Sequence, residues 1–445
     1  MINKEKWAEI IKDWQGQKLP YLVERENLIS PDFAIKRAIS IIGPRRIGKT
    51  YEMFLIIKQI IEKNGRDKTL YINLERADLG VLNYSDLVNL LEVYYSLFPQ
   101  NKKKTIWLFL DEIQNVSQWE KFVRTCLDEE IKVFLSGSSA KLLSKEIATA
   151  MGGRNLSYTV FPFSFREYLS AKGFSQDKYY AEKPKVSGIT GTQSVPYYSS
   201  EEKSKLINHF DDYLNWGGYP EAVLFSEQRE KILRDIFDTA ILKDVIERHG
   251  IRNISAMKLL IKALLSSKEF SVHKFYNYLK SQNIKVGKNV LYNYLHYLED
   301  AFFVFPLRKF NLSYKKAAQS LPKIYFIDNG LLRVNQIDDK GGLLENLVFT
   351  ELLRKEFNIS YYQNTIKEEV DFLITEGKKV KKLIQVCYDL DNFVTREREI
   401  KSIVKASEEF DCDNLLIITK NQEEEIVTGK NKIKVIPAWK WLLEK

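Results

Sequence analysis

Cysteine is scarce in this 445-residue chain: only Cys126, Cys387 and Cys412 occur, with no C-x-x-C spacing among them. With four scattered histidines, this excludes a zinc-finger pattern and a disulfide scaffold and predicts free, reduced thiols. Long apolar runs are also missing. No stretch approaches the roughly 18–20 apolar residues that a membrane-crossing helix needs. The leading "MINKEKWAEIIKDW" is charged and amphipathic, where a signal peptide would carry an apolar core. The expectation is a cytoplasmic protein with no membrane partner. No internal repeat or low-complexity tract occurs. What is present describes globular domains: 44% hydrophobic and 29% charged residues, in a chain long enough for about two to four cores. The net charge of +9 is compatible with a nucleic-acid partner without requiring one.

The apolar stretches "AIKRAISIIG", "TLYINLE", "TIWLFLDE" and "EIKVFLSGSS" read as strands, and "TYEMFLIIKQIIEKNG" as a helix stopped by Gly65. Strands alternating with helices predict an α/β fold with a mostly parallel sheet. "AEKPKVSGITGTQSVPYYSSEEK" has no periodicity and reads as an insertion or linker. Residues 204–250 read as helical and contain "GGYP". Residues 254–330 read as helical runs followed by an apolar hairpin, and the last hundred residues mix helix and strand.

"GPRRIGKT" fits G-x-x-x-x-G-K-[ST], with a strand before it and a helix after it. Gly43, Pro44, Arg45, Arg46, Ile47 and Gly48 form the loop, whose glycines let backbone N–H groups face phosphate oxygens. Lys49 adds a point charge for the β- and γ-phosphates, Thr50 a hydroxyl for Mg²⁺, and Tyr51 follows on the helix. In "IWLFLDE", Asp111 ends a buried strand where it can join the Mg²⁺ shell, and Glu112 is placed to polarise an attacking water. The pair points to ATP hydrolysis, with ATP and Mg²⁺ as cofactors. In "KVFLSGSSAKLL", Ser138 is the candidate γ-phosphate sensor, with Ser136 and Ser139 as alternates, or a cap for the next helix. Arg154, in "MGGRN", reads either as an arginine finger, in cis or from a neighbouring subunit, or as a solvated side chain. Arg45 and Arg46 face phosphate, a partner subunit or solvent.

Taken together, "GPRRIGKT", "LFLDEIQNVSQWEKFVR", "FLSGSSAKLL", "GGR" and "FPFSFREYL" resemble the prokaryotic AAA ATPases bordering the STAND group. The resemblance covers nearly the whole chain. It implies a P-loop NTPase domain (1–172), a linker (173–203), a helical lid (204–252), a winged helix (253–330) and a restriction-endonuclease-like α/β domain (331–445). Gly217, Gly218 and Pro220 in "NWGGYPEAV" resemble that family's Gly-Gly-x-Pro motif, which implies a place for Pro220 near the adenine. From the residues alone, two glycines and a proline mark a helix start.

In "KNVLYNYLHYLED", Leu291, Tyr294, Leu295 and Leu298 share one face, which leaves Lys288, Asn289, Asn293 and His296 outward. That is a helix-turn-helix pattern, and such a helix can enter a major groove. Lys285, Lys315, Lys316 and Lys323 extend its basic character, which makes DNA the expected partner. An active nuclease of the C-terminal type would bind Mg²⁺ with a helix Glu, a hairpin Asp and a strand Glu, aided by a lysine two residues on. Glu345 and Asp371 match the first two. Gln385 stands in the third position and Cys387 in the fourth, so Asp371 reads as a structural acid paired with a nearby Lys or Arg. The expected function is an ATPase acting on or at DNA. The rival is a STAND-type signalling or assembly switch, and the weakest reading is an active nuclease. Arg154 acting in trans would imply a homo-oligomer.

Overall fold

The computed structural model describes residues 2–138, 151–174, 180–181, 195–196 and 199–444. Two compact units emerge: Met1–Phe161 with Asp300–Phe302, and Pro162–Glu299 with Phe303–Lys445.

The main sheet of the first unit holds five strands, β1 (Ala38–Gly43), β2 (Thr69–Asn73), β3 (Trp107–Asp111), β4 (Lys132–Ser138) and β5 (Asn155–Thr159). Their order is β2-β3-β4-β1-β5, and every pairing is parallel. The runs "AISIIG" and "WLFLD" are buried throughout, as strands must be when helices cover both faces of a parallel sheet. Among the described residues, four α-helices accompany them: α1 (Lys4–Gly16), α2 (Lys49–Asn64), α3 (Tyr84–Leu97) and α4 (Trp119–Asp128). The amphipathic N-terminal segment becomes α1. Asn3 caps it by accepting from Lys6 N at 2.8 Å, Trp7, Ile10, Ile11 and Trp14 are buried, and the Trp14 indole donates to Thr69 O at 3.1 Å. Strand β5 was not expected from the sequence, because "NLSYT" is a partly exposed edge strand with little apolar signal.

The second unit begins with α5 (Phe165–Ala171), α6 (Ser200–Trp216), α7 (Pro220–Leu224) and α8 (Arg229–Thr239), followed by a π-helical run, Ala240–Glu247. Helix α5 falls within the first expected domain, yet it packs here: the Phe165 ring lies 5.7 Å from Phe210 and 5.3 Å from Tyr213 of α6. Then come α9 (Ile254–Leu265), α10 (Val272–Ser281), α11 (Lys288–Asp300) and an antiparallel pair, β6 (Val304–Leu307) with β7 (Lys323–Phe326). On α11, Leu291, Tyr294, Leu295 and Leu298 are buried, while Lys288, Asn289, Asn293 and His296 are exposed, as the spacing requires.

The C-terminal part carries α12 (Lys340–Arg354), then β8 (Ile359–Gln363), β9 (Glu369–Glu376), β10 (Lys379–Val386), α13 (Phe393–Phe410), β11 (Leu415–Thr419), β12 (Glu424–Thr428), β13 (Asn431–Pro437) and α14 (Ala438–Leu443). The six strands run in the order β8-β9-β10-β11-β13-β12. The β10-β11-β13 pairings are parallel and the outer ones antiparallel. Strand β12 is an addition to the expected helix, three strands, helix and strand; it is an exposed edge.

The "GGYP" turn is locked from two sides. Phe163 N donates to Gly218 O at 2.7 Å. Gly218 N and Gly330 N both donate to the buried Asp328 carboxylate, at 2.7 and 2.8 Å. Gly217 has φ +69°, and a Cβ there would lie 1.9 Å from Asp328 Oδ1, so the approach requires glycine.

Candidate active site

The loop Gly43–Thr50 leaves the C-terminal end of β1, the end of a parallel sheet where ligands bind. Gly48, at φ +98°, turns the chain into α2. Pro44 and Ile47 are buried, Arg45 is half-buried and Arg46 is exposed, with φ +59°. Lys49 is buried, and its Nζ donates to the carbonyls of Gly43 and Pro44 at 3.2 and 3.0 Å. Tyr51 is half exposed, with its ring edge-on to Phe54.

Asp111 ends β3 and is 2% exposed. Its Oδ2 accepts from Thr50 Oγ1 at 2.7 Å and from Tyr71 OH at 2.8 Å, and its Oδ1 accepts from Ser136 Oγ. The Ser136 hydroxyl also receives Glu112 N at 3.0 Å. Burial, reinforced by the Asp111 charge, pushes the Tyr71 phenol far above its usual pKa, so it stays a donor. Glu112 sits at φ +57°, an uncommon backbone state that costs about 1–2 kcal/mol for a residue with a Cβ. Its carboxylate accepts from Gln114 Nε2. Such strain directly after Asp111 is the kind that collects at functional sites.

These contacts bring Lys49, Thr50, Asp111 and Glu112 together within the first unit. Tyr71 and the Asp111-linked role of Ser136 escaped the sequence reading, since nothing in "TLYINLE" marks the tyrosine as a carboxylate partner. Ser138 ends β4, but its side chain and all of Ser139 lie outside the described residues. Arg154 is found elsewhere. Its carbonyl accepts from Ala38 N at 2.9 Å, at the start of β1, and its guanidinium pairs with Asp128 at 2.6 Å. A six-residue strand at about 3.3 Å per residue separates that position from the loop. Arg154 and the loop therefore lie at opposite ends of β1 in this structure. Pro220 lies in the second unit, at the first position of α7.

The C-terminal acids form a cluster of their own. Glu345 on α12 and Asp371 on β9 each lie 2.9 Å from Lys323 Nζ, and Glu369 lies 2.6 Å from it. Asp371 is thus paired with a lysine, and that lysine is Lys323. Lys323 is 3% exposed, which removes it from the basic surface expected of this region. Burial alone would lower its pKa, but Asp371, Glu345 and Glu369 hold it well above the usual range. Gln385 turns away from the lysine: its Oε1 accepts from Asp371 N at 3.3 Å and its Nε2 donates to Glu399. Cys387 is buried and free. No group of three or more His, Cys, Asp or Glu suited to a metal occurs among the described residues, and no helix there is long and apolar enough to cross a membrane.

A family model described as an AAA domain matches residues 35–169. Two models described as domains of unknown function match 207–340 (DUF8612) and 340–441 (DUF4143). An uncharacterized protein of Methanocaldococcus jannaschii, MJ1544, is 39% identical over 95% of this chain and 92% of its own length. The chain belongs to the same family. A Haemophilus influenzae relative, also uncharacterized, is 27% identical over 95% of this chain and 99% of its own. Residues 35–169, which match the AAA model, hold the five-stranded parallel sheet, and a helical region and a mixed C-terminal sheet follow. Among solved structures, the ORC2 protein of Aeropyrum pernix covers 79% of this chain and 94% of its own, at 14% identity and TM-score 0.41. The ORC1 protein of the same organism, in complex with DNA, covers 78% and 93%, at 12% identity and TM-score 0.32. Both likenesses are distant.

Proposed function

We propose that this protein binds and hydrolyses ATP in its first unit and acts on or at DNA through its second. The observation that carries the first half is the 2.7 Å hydrogen bond from Thr50 Oγ1 to Asp111 Oδ2. It draws the loop hydroxyl and the strand-end carboxylate to one point. These hard oxygen donors suit Mg²⁺, so Thr50 and Asp111 are the residues that would hold it. When bound, the ion supplies charge neutralisation for the β- and γ-phosphates. The chain's own groups do the rest. Loop N–H groups and the N-terminus of α2 take phosphate oxygens. Lys49 Nζ, which here donates to the Gly43 and Pro44 carbonyls, would donate instead to phosphate oxygens, where both partners are charged. Glu112 orients and polarises the attacking water, while Tyr71 and Ser136 keep the Asp111 carboxylate in one orientation. Ser138 as γ-phosphate sensor and Arg154 as an arginine finger on a neighbouring copy are carried from their own places in the sequence, and Pro220 beside the adenine is what the family resemblance alone implies.

The second half rests on α11. With α9, α10 and the β6–β7 pair it reads as a winged helix. Its outward row of Lys288, Asn289, Tyr292, Asn293 and His296, with Lys285 just ahead, is exposed and combines cations, amides and an aromatic ring, a mixture suited to phosphates and base edges. Lys288 donates to His273 Nδ1 at 2.8 Å and lies over the Tyr276 ring, which holds its stem in place. Residues 331–445 read as a restriction-endonuclease-like scaffold without nuclease activity, since Gln385 replaces a carboxylate. Fluorescence anisotropy with duplex, forked and single-stranded DNA across a salt series tests this half. Replacing Lys285 and Lys288 with Ala should lower the salt slope by about 0.9 for each phosphate that the variant no longer neutralises. If no DNA form binds at moderate salt while ATP turnover persists, the STAND-type switch becomes the better reading.

A further inference from the structure

Three carboxylates from two elements converge on one atom of the chain itself. Lys323 Nζ, arriving on β7, lies 2.9 Å from Glu345 of α12 and 2.6 and 2.9 Å from Glu369 and Asp371 of β9. The arrangement is built rather than incidental. Tyr325 OH donates to Glu345 Oε1 at 2.7 Å, Val386 N donates to Asp371 Oδ2 at 2.9 Å, and the lysine is almost wholly buried.

We propose that Lys323 is a built-in counter-ion: its ammonium fills the cation position of this cluster and closes it to divalent metals, and removing the ammonium opens a calcium-type site. The proposal concerns the C-terminal sheet alone and stands or falls separately from the ATPase reading.

Charge supports it. Three carboxylates face one buried ammonium, so the cluster has acid to spare for a doubly charged ion, and Lys268, at 3.9 Å from Glu345, is largely solvent-exposed. Distance supports it too. Calcium takes oxygens at about 2.3–2.6 Å, so the present carboxylates need close in by only a few tenths of an ångström. Magnesium, at about 2.0–2.1 Å with near-octahedral demands, fits less well. Access is provided by a cavity of about 390 Å³ whose walls include Lys323, Glu345 and Lys268. Removing the lysine stem leaves room there for the water ligands that complete a calcium shell. Gln385, engaged with Asp371 N and Glu399, does not compete for the position.

The test uses the full chain without nucleotide and Tb³⁺ as the probe, its luminescence sensitised by Tyr325 beside Glu345. Wild type and Lys323→Arg should give no signal beyond any from the Thr50–Asp111 site beside Tyr71, and none that changes on Asp371→Asn. Lys323→Ala should gain a saturable signal that Ca²⁺ competes away and that a second change, Asp371→Asn, abolishes. Should Lys323→Ala fail to fold by circular dichroism, Lys323→Gln, which keeps most of the bulk without the charge, carries the same expectation. A saturable wild-type signal lost on Asp371→Asn would overturn the proposal, because the site would then be open with the lysine in place. A folded Lys323→Ala or Lys323→Gln with no signal would overturn it equally.

Discussion

Asp328 offers a sharp test of how the "GGYP" turn is held, because two physical effects compete on one carboxyl group. The side chain is 5% exposed, and burial pushes its pKa from 3.8 up to about 7, against the lowering effect of the Gly218 and Gly330 amides and of Arg354. Each unit corresponds to about 1.4 kcal/mol, so a rise of this size amounts to roughly 4 kcal/mol. The folded-state pKa lies above the unfolded one. The contribution is therefore fully present below about pH 4 and is lost as the pH rises through about 7. Replacing Asp328 with Asn removes the titration and leaves one amide donor facing an NH₂ group, a pH-independent cost of about 1–3 kcal/mol. Urea unfolding of both proteins between pH 4 and pH 8 isolates the effect, since every other titrating group cancels in the difference. The stability of wild type relative to Asp328→Asn should fall by up to roughly 4 kcal/mol across that range. A difference that stays flat or grows with pH would mean that the two amides outweigh burial, and the reasoning would be wrong.

Other expectations follow from single contacts. Tyr71→Phe removes one donor to Asp111, worth about 0.5–1.5 kcal/mol. Steady-state turnover should fall roughly two- to tenfold, and unchanged kinetics would deny Tyr71 a positioning role. Gly217→Ala imposes a Cβ on a φ of +69° and on Asp328. It should destabilise the second unit by at least about 2 kcal/mol in thermal or urea melts, and a neutral result would refute the close approach.

Much of the candidate active site was legible because its signals are local. The glycines and lysine of "GPRRIGKT" lie within eight residues, and "IWLFLDE" announces a buried strand with acids at its end. The inner face of α11 was legible for the same reason, from helical periodicity alone. What escaped depends on distant pairings or weak patterns. Strands β5 and β12 are exposed edges with few apolar residues. Arg154 sits at the far end of the sheet because Ala38 pairs with Asn155, a register no motif encodes. Lys323 looked like a surface lysine because nothing nearby in sequence hides it. Its burial depends on acids 22 to 48 residues further along. The helix start read from "GGYP" is present at Pro220, but the close approach of its glycines to Asp328, more than a hundred residues away, was not readable.

The central claim is that the loop at Lys49 and the acids ending β3 make an ATPase. Phosphate release from Mg·ATP, measured for wild type, Lys49→Ala and Glu112→Gln alongside binding of a fluorescent ATP analogue, tests it most directly. Wild type should turn over. Lys49→Ala should lose turnover, and Glu112→Gln should keep binding while turnover drops by about a hundredfold or more. Wild-type protein without phosphate release, or turnover that survives either substitution, would contradict the account.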